Sequence, residues 1–197
     1  EVFVLEVNPR ASRTIPFVSK TTNTPLARIA SQLALGVPLS DFDLKPWGNN
    51  PYIAVKEAVL PFNKFPEESI FLSPEMKSTG EVMGISESLG ESFRRALIGA
   101  GNKIPKNGNV FISVNEKDKL DIIPIARDLA EIGFNIIATS GTKKELEKNG
   151  IRASSVFKAG EGRPNIVDEI KNDNVQLVIN TPMGARARYD EESIGRT

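Results

Sequence analysis

The chain has 197 residues, 40% hydrophobic and 25% charged, and its 25 Lys plus Arg balance 25 Asp plus Glu, the profile of an ordinary soluble globular chain of one large domain or two small ones. A formal net charge of zero argues against a general polyanion binder such as a nucleic-acid protein, though not against a local phosphate pocket. With no Cys and no His, disulfides, zinc–thiolate and iron–sulfur sites, thiol nucleophiles, a Ser-His-Asp triad and a His base are excluded, which leaves carboxylates, Lys, Arg, backbone amides or a hard cation for any chemistry.

The chain opens on Glu1 rather than Met and ends on the polar run 189–197, so a piece of a longer polypeptide is expected. Residues 2–7 read as a short apolar strand. A helix is expected from Pro25 to about Leu35, N-capped by Thr24, with Leu26, Ile29, Ala30 and Leu33 on one stripe. Residues 41–51 read as a loop, and Tyr52–Leu60 and Glu81–Ile85 as strands. Ser86 to about Ala100 reads as a helix with Leu89, Phe93 and Leu97 on its apolar face. The Gly/Pro/Asn/Lys cluster of residues 101–108 is the best linker candidate.

Beyond it the pattern becomes a regular alternation. Strands are expected at Asn109–Val114, Phe134–Ala138, Ser155–Phe157 and Gln176–Asn180. Helices are expected at Lys117–Ile132, Thr142–Asn149 and Pro164–Asn172. Such a run implies a parallel sheet covered by helices. No apolar run approaches the roughly 20 residues of a membrane span, and none of these residues reads as a signal peptide.

Three constellations can carry chemistry. Glu6 and Asn8 alternate onto one face of the expected first strand, and a carboxylate with an amide oxygen suits Mg²⁺ shared with phosphates. Arg10 and Arg13 add guanidinium forks that match phosphate geometry. Spacing alone fits a solvated strand end better, because Glu-x-Asn is a common tripeptide. Thr139-Ser140-Gly141-Thr142 at a helix start is either an anion cradle or a plain N-cap. Lys119, Lys158 and Asn180 lie where a parallel sheet gathers ligands, at or beyond the carboxyl ends of its strands, although each Lys also reads as an ordinary surface charge.

The stretch Glu6-Val-Asn-Pro-Arg-Ala-Ser-Arg-Thr-Ile-Pro-Phe-Val-Ser-Lys20 resembles the end of the second ATP-grasp half of carbamoyl phosphate synthetase large subunits. Two further blocks, Val55-Lys-Glu-Ala-Val-Leu-Pro-Phe-Asn-Lys-Phe65 and Pro74-Glu-Met-Lys-Ser-Thr-Gly-Glu-Val-Met-Gly84, agree. Residues from about Asn102 resemble that family's methylglyoxal-synthase-like regulatory domain. The resemblance implies an α/β chain: an α+β ATP-grasp C-terminal lobe over 1–101, then an incomplete parallel-sheet effector domain over 102–197.

It also implies an ATP-dependent ligase that makes carbamoyl phosphate from bicarbonate, ammonia and two ATP for arginine and pyrimidine biosynthesis. That enzyme would be cytoplasmic and oligomeric at full length, with ammonia supplied by a glutaminase small subunit. By the same resemblance Glu6 and Asn8 match ligands of Mg²⁺ or Mn²⁺ against ATP, with K⁺ a further cofactor candidate. Arg10 and Arg13 match arginines near the phosphoryl site. Glu57 and Leu60 match the ornithine pocket, and Ser113, Lys119, Thr139, Thr142, Lys158 and Asn180 match the pocket for UMP and IMP.

Pro182 departs from a Thr common at its position in that pocket, and Pro offers neither hydroxyl nor N–H. On this reading the chain alone has no synthetase activity. The alternative is a stand-alone sensor of phosphorylated ligands in residues 102–197. A phospho-lyase of the methylglyoxal synthase kind is disfavoured by the absence of His.

Overall fold

Two short helices, α1 (Thr14–Thr22) and α2 (Leu26–Ala34), come first among the elements of the computed structural model, which describes residues 2–4, 13–44, 48, 50–64, 75–183 and 192–195. The chain separates into two units, Glu1–Ile104 and Pro105–Thr197.

In the first unit, Asn23 takes a left-handed conformation (φ 51°) and turns the chain between α1 and α2. Composition does not announce α1, because it holds Pro16 and β-branched residues. Pro16 sits in the first turn, where its missing N–H has no intrahelical partner to lose. The expected Thr24 cap of α2 is not used. Pro25 occupies the N-cap position, and the Ser19 hydroxyl accepts from the Leu26 N–H at 3.3 Å. The expected strand at 2–7 is absent over 2–4, where Val2, Phe3 and Val4 are exposed and unpaired. A strand exists only through its ladder, and none reaches these residues. Residues 5–7 lie outside those described, as do 45–47 and 49 of the expected loop at 41–51.

Strands β1 (Ile53–Val59) and β2 (Gly80–Ser86) pair antiparallel, with Val55 opposite Gly84 and Glu57 opposite Val82. Helix α3 (Leu89–Gly99) packs on this ribbon, starting later than expected because Ser88 is its cap: the Ser88 hydroxyl accepts from the Glu91 N–H. The expected apolar face is also displaced. Ser92 and Ala96 are buried, while Leu89 is 61% exposed and Phe93 is exposed too. The helix lies so close to β2 that only small side chains fit between them.

The second unit is an all-parallel sheet of β3 (Gly108–Val114), β4 (Phe134–Ala138), β5 (Ser154–Ser155) and β6 (Leu177–Thr181), in the order β5-β4-β3-β6. Helices α4 (Ile122–Glu131), α5 (Ser140–Lys148) and α6 (Ile166–Lys171) connect the strands. The core gathers Val110 and Ile112 of β3, Ile136 and Ala138 of β4, Ile122, Ile123 and Ala126 of α4, and Leu146 of α5. At about 25 cal/mol per Å² of buried apolar surface, this cluster is the main stabilising term of the unit.

Strands β5 and β6 shift by a residue or two, to Ser154–Ser155 and Leu177–Thr181, and three helix starts differ from expectation. The stretch 117–121 is not α-helix: a 3-10 turn, Glu116–Asp118, precedes α4. Asn115 causes this, because its side chain caps the turn by accepting from the Lys117 N–H at 2.9 Å. Helix α5 begins at Ser140, so Gly141 and Thr142 lie in its first turn. Helix α6 begins at Ile166, behind a reciprocal cap in which Asn165 accepts from Val167 and Asp168 and the Asp168 carboxylate accepts from the Asn165 N–H. Gly133 (φ 101°) ends α4 in a conformation that other residues rarely adopt.

Candidate functional site

Strand order reverses between β3 and β6: β3 leads outward through β4 to β5, and the chain then returns to pair β6 on the other side of β3. In open parallel sheets a ligand crevice forms beyond the carboxyl ends at such a point. A cavity of about 130 Å³ lies there, lined in part by Ser113, Lys158, Asn180 and Pro182. Ser113 and Asn180 are register partners on β3 and β6, so their side chains stand side by side on one face. Lys158 arrives from the loop after β5.

Hydroxyl, amide and ammonium thus converge, and among the described residues none of these three groups has a protein partner. The cavity is smaller than the roughly 300–1,000 Å³ of drug-sized sites, and suits a phosphate or one ring rather than a whole nucleotide. Phe111, Val114, Ile166, Met183 and Ile194 supply its apolar wall. Pro182 extends that wall where a hydroxyl was the family expectation.

The loop that carries Lys158 is held by Asn165. This residue is 7% exposed, and its Nδ2 donates to the carbonyls of Ala159 (3.4 Å) and Gly162 (3.1 Å) while its Oδ1 caps α6. Asn115 plays the matching part across the mouth. Its backbone N–H donates to Thr181 Oγ1 at 3.0 Å, and its Nδ2 donates to the same hydroxyl and to Asp118 Oδ2 at 2.6 Å. Neither Asn stood out in the sequence. An Asn three residues before an Asp at a helix start was the legible signal for Asn165.

Thr139 and Thr142 do not line the cavity. The two residues are 5% and 1% exposed, and the Thr142 hydroxyl accepts from the Val114 N–H at 3.3 Å and lies 3.4 Å from the Thr139 hydroxyl. These hydroxyls tie the start of α5 to the end of β3. What α5 offers a ligand is its first backbone N–H groups, which carry partial positive charge. Lys119 stands beside them: its Nζ is 3.6 Å from where a Cβ on Gly141 would lie, and it pairs with Glu116. The six expected residues therefore form two groups around the end of β3, joined by the Val114–Thr142 bond.

In the first unit, Arg13 precedes α1 and donates through Nη1 to Glu81 Oε1 (2.9 Å) and Ser78 Oγ (3.2 Å). Glu57 is half-buried on β1 opposite Val82. Val82 touches α3 at Gly99, so Glu57 sits on the ribbon face that α3 covers. Leu60, the residue after β1, is half-buried. Glu6, Asn8 and Arg10 lie outside the described residues. Among the described residues no group of three acidic side chains could hold a metal, and no helix is long and apolar enough to cross a membrane.

Two family models match the chain: the MGS-like domain over residues 121–197, and the carbamoyl-phosphate synthase L chain ATP binding domain over residues 1–42. Across its whole length the chain is 51% identical to the carbamoyl phosphate synthase large chain of Acidobacterium capsulatum and 51% identical to that of Archaeoglobus fulgidus, covering 18% of each. It is 46% identical to the carbamoyl phosphate synthase large chain, C-terminal section, of Aquifex aeolicus, covering 40% of that protein. The chain thus spans about a fifth of the full-length relatives it matches.

Proposed function

Since the chain belongs to the carbamoyl phosphate synthase large-chain family, in its C-terminal region, we propose that its second unit is the effector-binding module of an ATP-dependent carbamoyl phosphate synthase. The first unit contributes the closing part of the second ATP-grasp site. The whole enzyme would join bicarbonate, ammonia from a glutaminase partner and ATP. Glu6 and Asn8 would hold Mg²⁺ or Mn²⁺, which neutralises ATP phosphate charge when bound. Phosphoryl transfer depends on positioning and charge rather than on covalent chemistry by the protein, so a chain without His or Cys suits it. Arg13, whose Nη1 donates to Glu81 and Ser78, and Arg10 would serve the phosphoryl site. Glu57 and Leu60 would belong to an ornithine pocket.

One observation carries the effector reading: Ser113, Lys158 and Asn180 converge on the crevice between β3 and β6, without a partner among the described residues. A cation with two hydrogen-bonding groups fits a phosphorylated ligand, and the apolar wall fits a ring. The test is calorimetric titration of the 197-residue chain with UMP, IMP and ornithine separately. Saturable binding of a nucleoside monophosphate, lost in Lys158→Ala and absent with uridine or inosine, is expected. Binding that survives Lys158→Ala unchanged would place the ligand elsewhere.

A further inference from the structure

Lys119 already holds an anion. Its Nζ lies 2.5 Å from Glu116 Oε2, and the two partners differ sharply in environment: the Lys119 side chain is 18% exposed and the Glu116 side chain 83%. The less exposed member, Lys119, lies beside Gly141 at the first turn of α5. The exposed member reaches it across the 3-10 turn, three residues earlier. That turn is set by Asn115, through Lys117 N–H to Asn115 Oδ1 (2.9 Å), and Asn115 is itself bonded to Thr181 at the cavity edge.

We propose that Glu116 is a built-in competitor for the phosphorylated ligand: it neutralises Lys119 when the site is empty and swings into solvent when a ligand anion takes its place. This rests on reading the crevice of Ser113, Lys158 and Asn180, together with Lys119 at the start of α5, as one phosphate-ligand site. The asymmetry in exposure gives the direction. A largely buried ammonium needs a counter-charge, whereas a carboxylate already mostly in water loses little by leaving. The ligand must therefore outcompete an anion held at high effective concentration by a three-residue tether, which lowers the apparent affinity and favours dianionic phosphate over a monovalent carboxylate.

The experiment titrates the 197-residue chain with UMP and with inorganic phosphate, comparing wild type, Glu116→Gln and Asp121→Asn. Asp121→Asn makes the same charge change two residues from Lys119 without touching it. Glu116→Gln is expected to bind UMP about 1.5- to 5-fold more tightly, the equivalent of one exposed ion pair. Asp121→Asn is expected to match wild type, and the gain should vanish in Lys119→Met/Glu116→Gln relative to Lys119→Met. Unchanged or weaker binding by Glu116→Gln overturns the inference while leaving the site standing, as does an equal gain in Asp121→Asn. Absence of binding by both wild type and Glu116→Gln, each shown folded by thermal melting, removes the site and the inference together.

Discussion

Gly84 in β2 lies directly beneath the backbone of Ser92 in α3: a methyl group at position 84 would collide with the Ser92 carbonyl oxygen and come within 2.7 Å of the Ala96 nitrogen. The Ser92 hydroxyl completes the contact by donating to the Ile53 carbonyl at 2.7 Å, with Ser86 Oγ 3.1 Å away. At Gly84 helix and ribbon are thus joined backbone to backbone, with no side chain between them.

Gly84→Ala is therefore expected to destabilise the first unit by about 1–3 kcal/mol, because the obstructing atoms are backbone and cannot rotate away. Gly90→Ala serves as the contrast. Nothing lies within 4 Å of its added methyl, so helix propensity should stabilise by up to about 1 kcal/mol. Urea unfolding of the two variants should give opposite signs.

Thr142 and Lys158 separate structure from binding. Thr142→Val leaves the Val114 N–H without its acceptor in a nearly inaccessible place, an expected loss of about 1–3 kcal/mol. Lys158→Ala should leave stability within about 0.5 kcal/mol, as for an exposed side chain free of buried contacts, yet abolish nucleotide binding. Thermal melts paired with titrations check both halves.

Asn165→Ala removes a helix cap and two bonds to the Lys158 loop at once. A loss of about 1–2 kcal/mol is expected from the cap, together with weaker nucleotide binding as the loop loosens. Asn165→Asp keeps the cap acceptor but loses the Nδ2 donor. It should recover most of the stability and little of the affinity.

Glu91 gives a pH signature. Its carboxylate accepts from Arg94 (2.7 and 2.9 Å) and Arg95 (2.7 Å), and these bonds, Arg94 foremost, hold its pKa at about 2, down from an ordinary 4.5. A pKa lowered on folding adds stability that is present above the unfolded value and lost as pH falls through the folded one. The melting temperature of Glu91→Gln should lie below wild type at neutral pH, and the gap should close between 4.5 and about 2. Added salt should narrow it, since the cluster is solvated.

The parallel alternation of the second unit was legible because its strands are apolar, its helices amphipathic and its stops glycine, as at Gly133 and Gly150. Phe134–Ala138 agrees residue for residue with β4. Elements governed by one side chain's hydrogen bonds were not legible. The turn at 116–118 exists because Asn115 caps it, and α3 faces inward with Ser92 and Ala96 because Gly84 admits the helix backbone. Hydrophobic periodicity named Leu89 and Phe93 instead, since it registers size and polarity but not how closely two backbones approach.

Composition by itself excluded thiol, imidazole and disulfide chemistry, and the spacing of apolar residues was enough for the α/β class. Linear order also placed Lys158 and Asn180 at strand ends. Whether such residues meet is a question of strand order, and only the tertiary structure decided it, by pairing β6 with β3 rather than with β5. That pairing sets Asn180 beside Ser113, 67 positions apart in the chain, while the bond from the end of β3 to the start of α5 turns the Thr142 hydroxyl inward beside that of Thr139. The reason is physical: local sequence determines periodicity and caps, whereas long-range register depends on which buried faces fit together across the whole sheet.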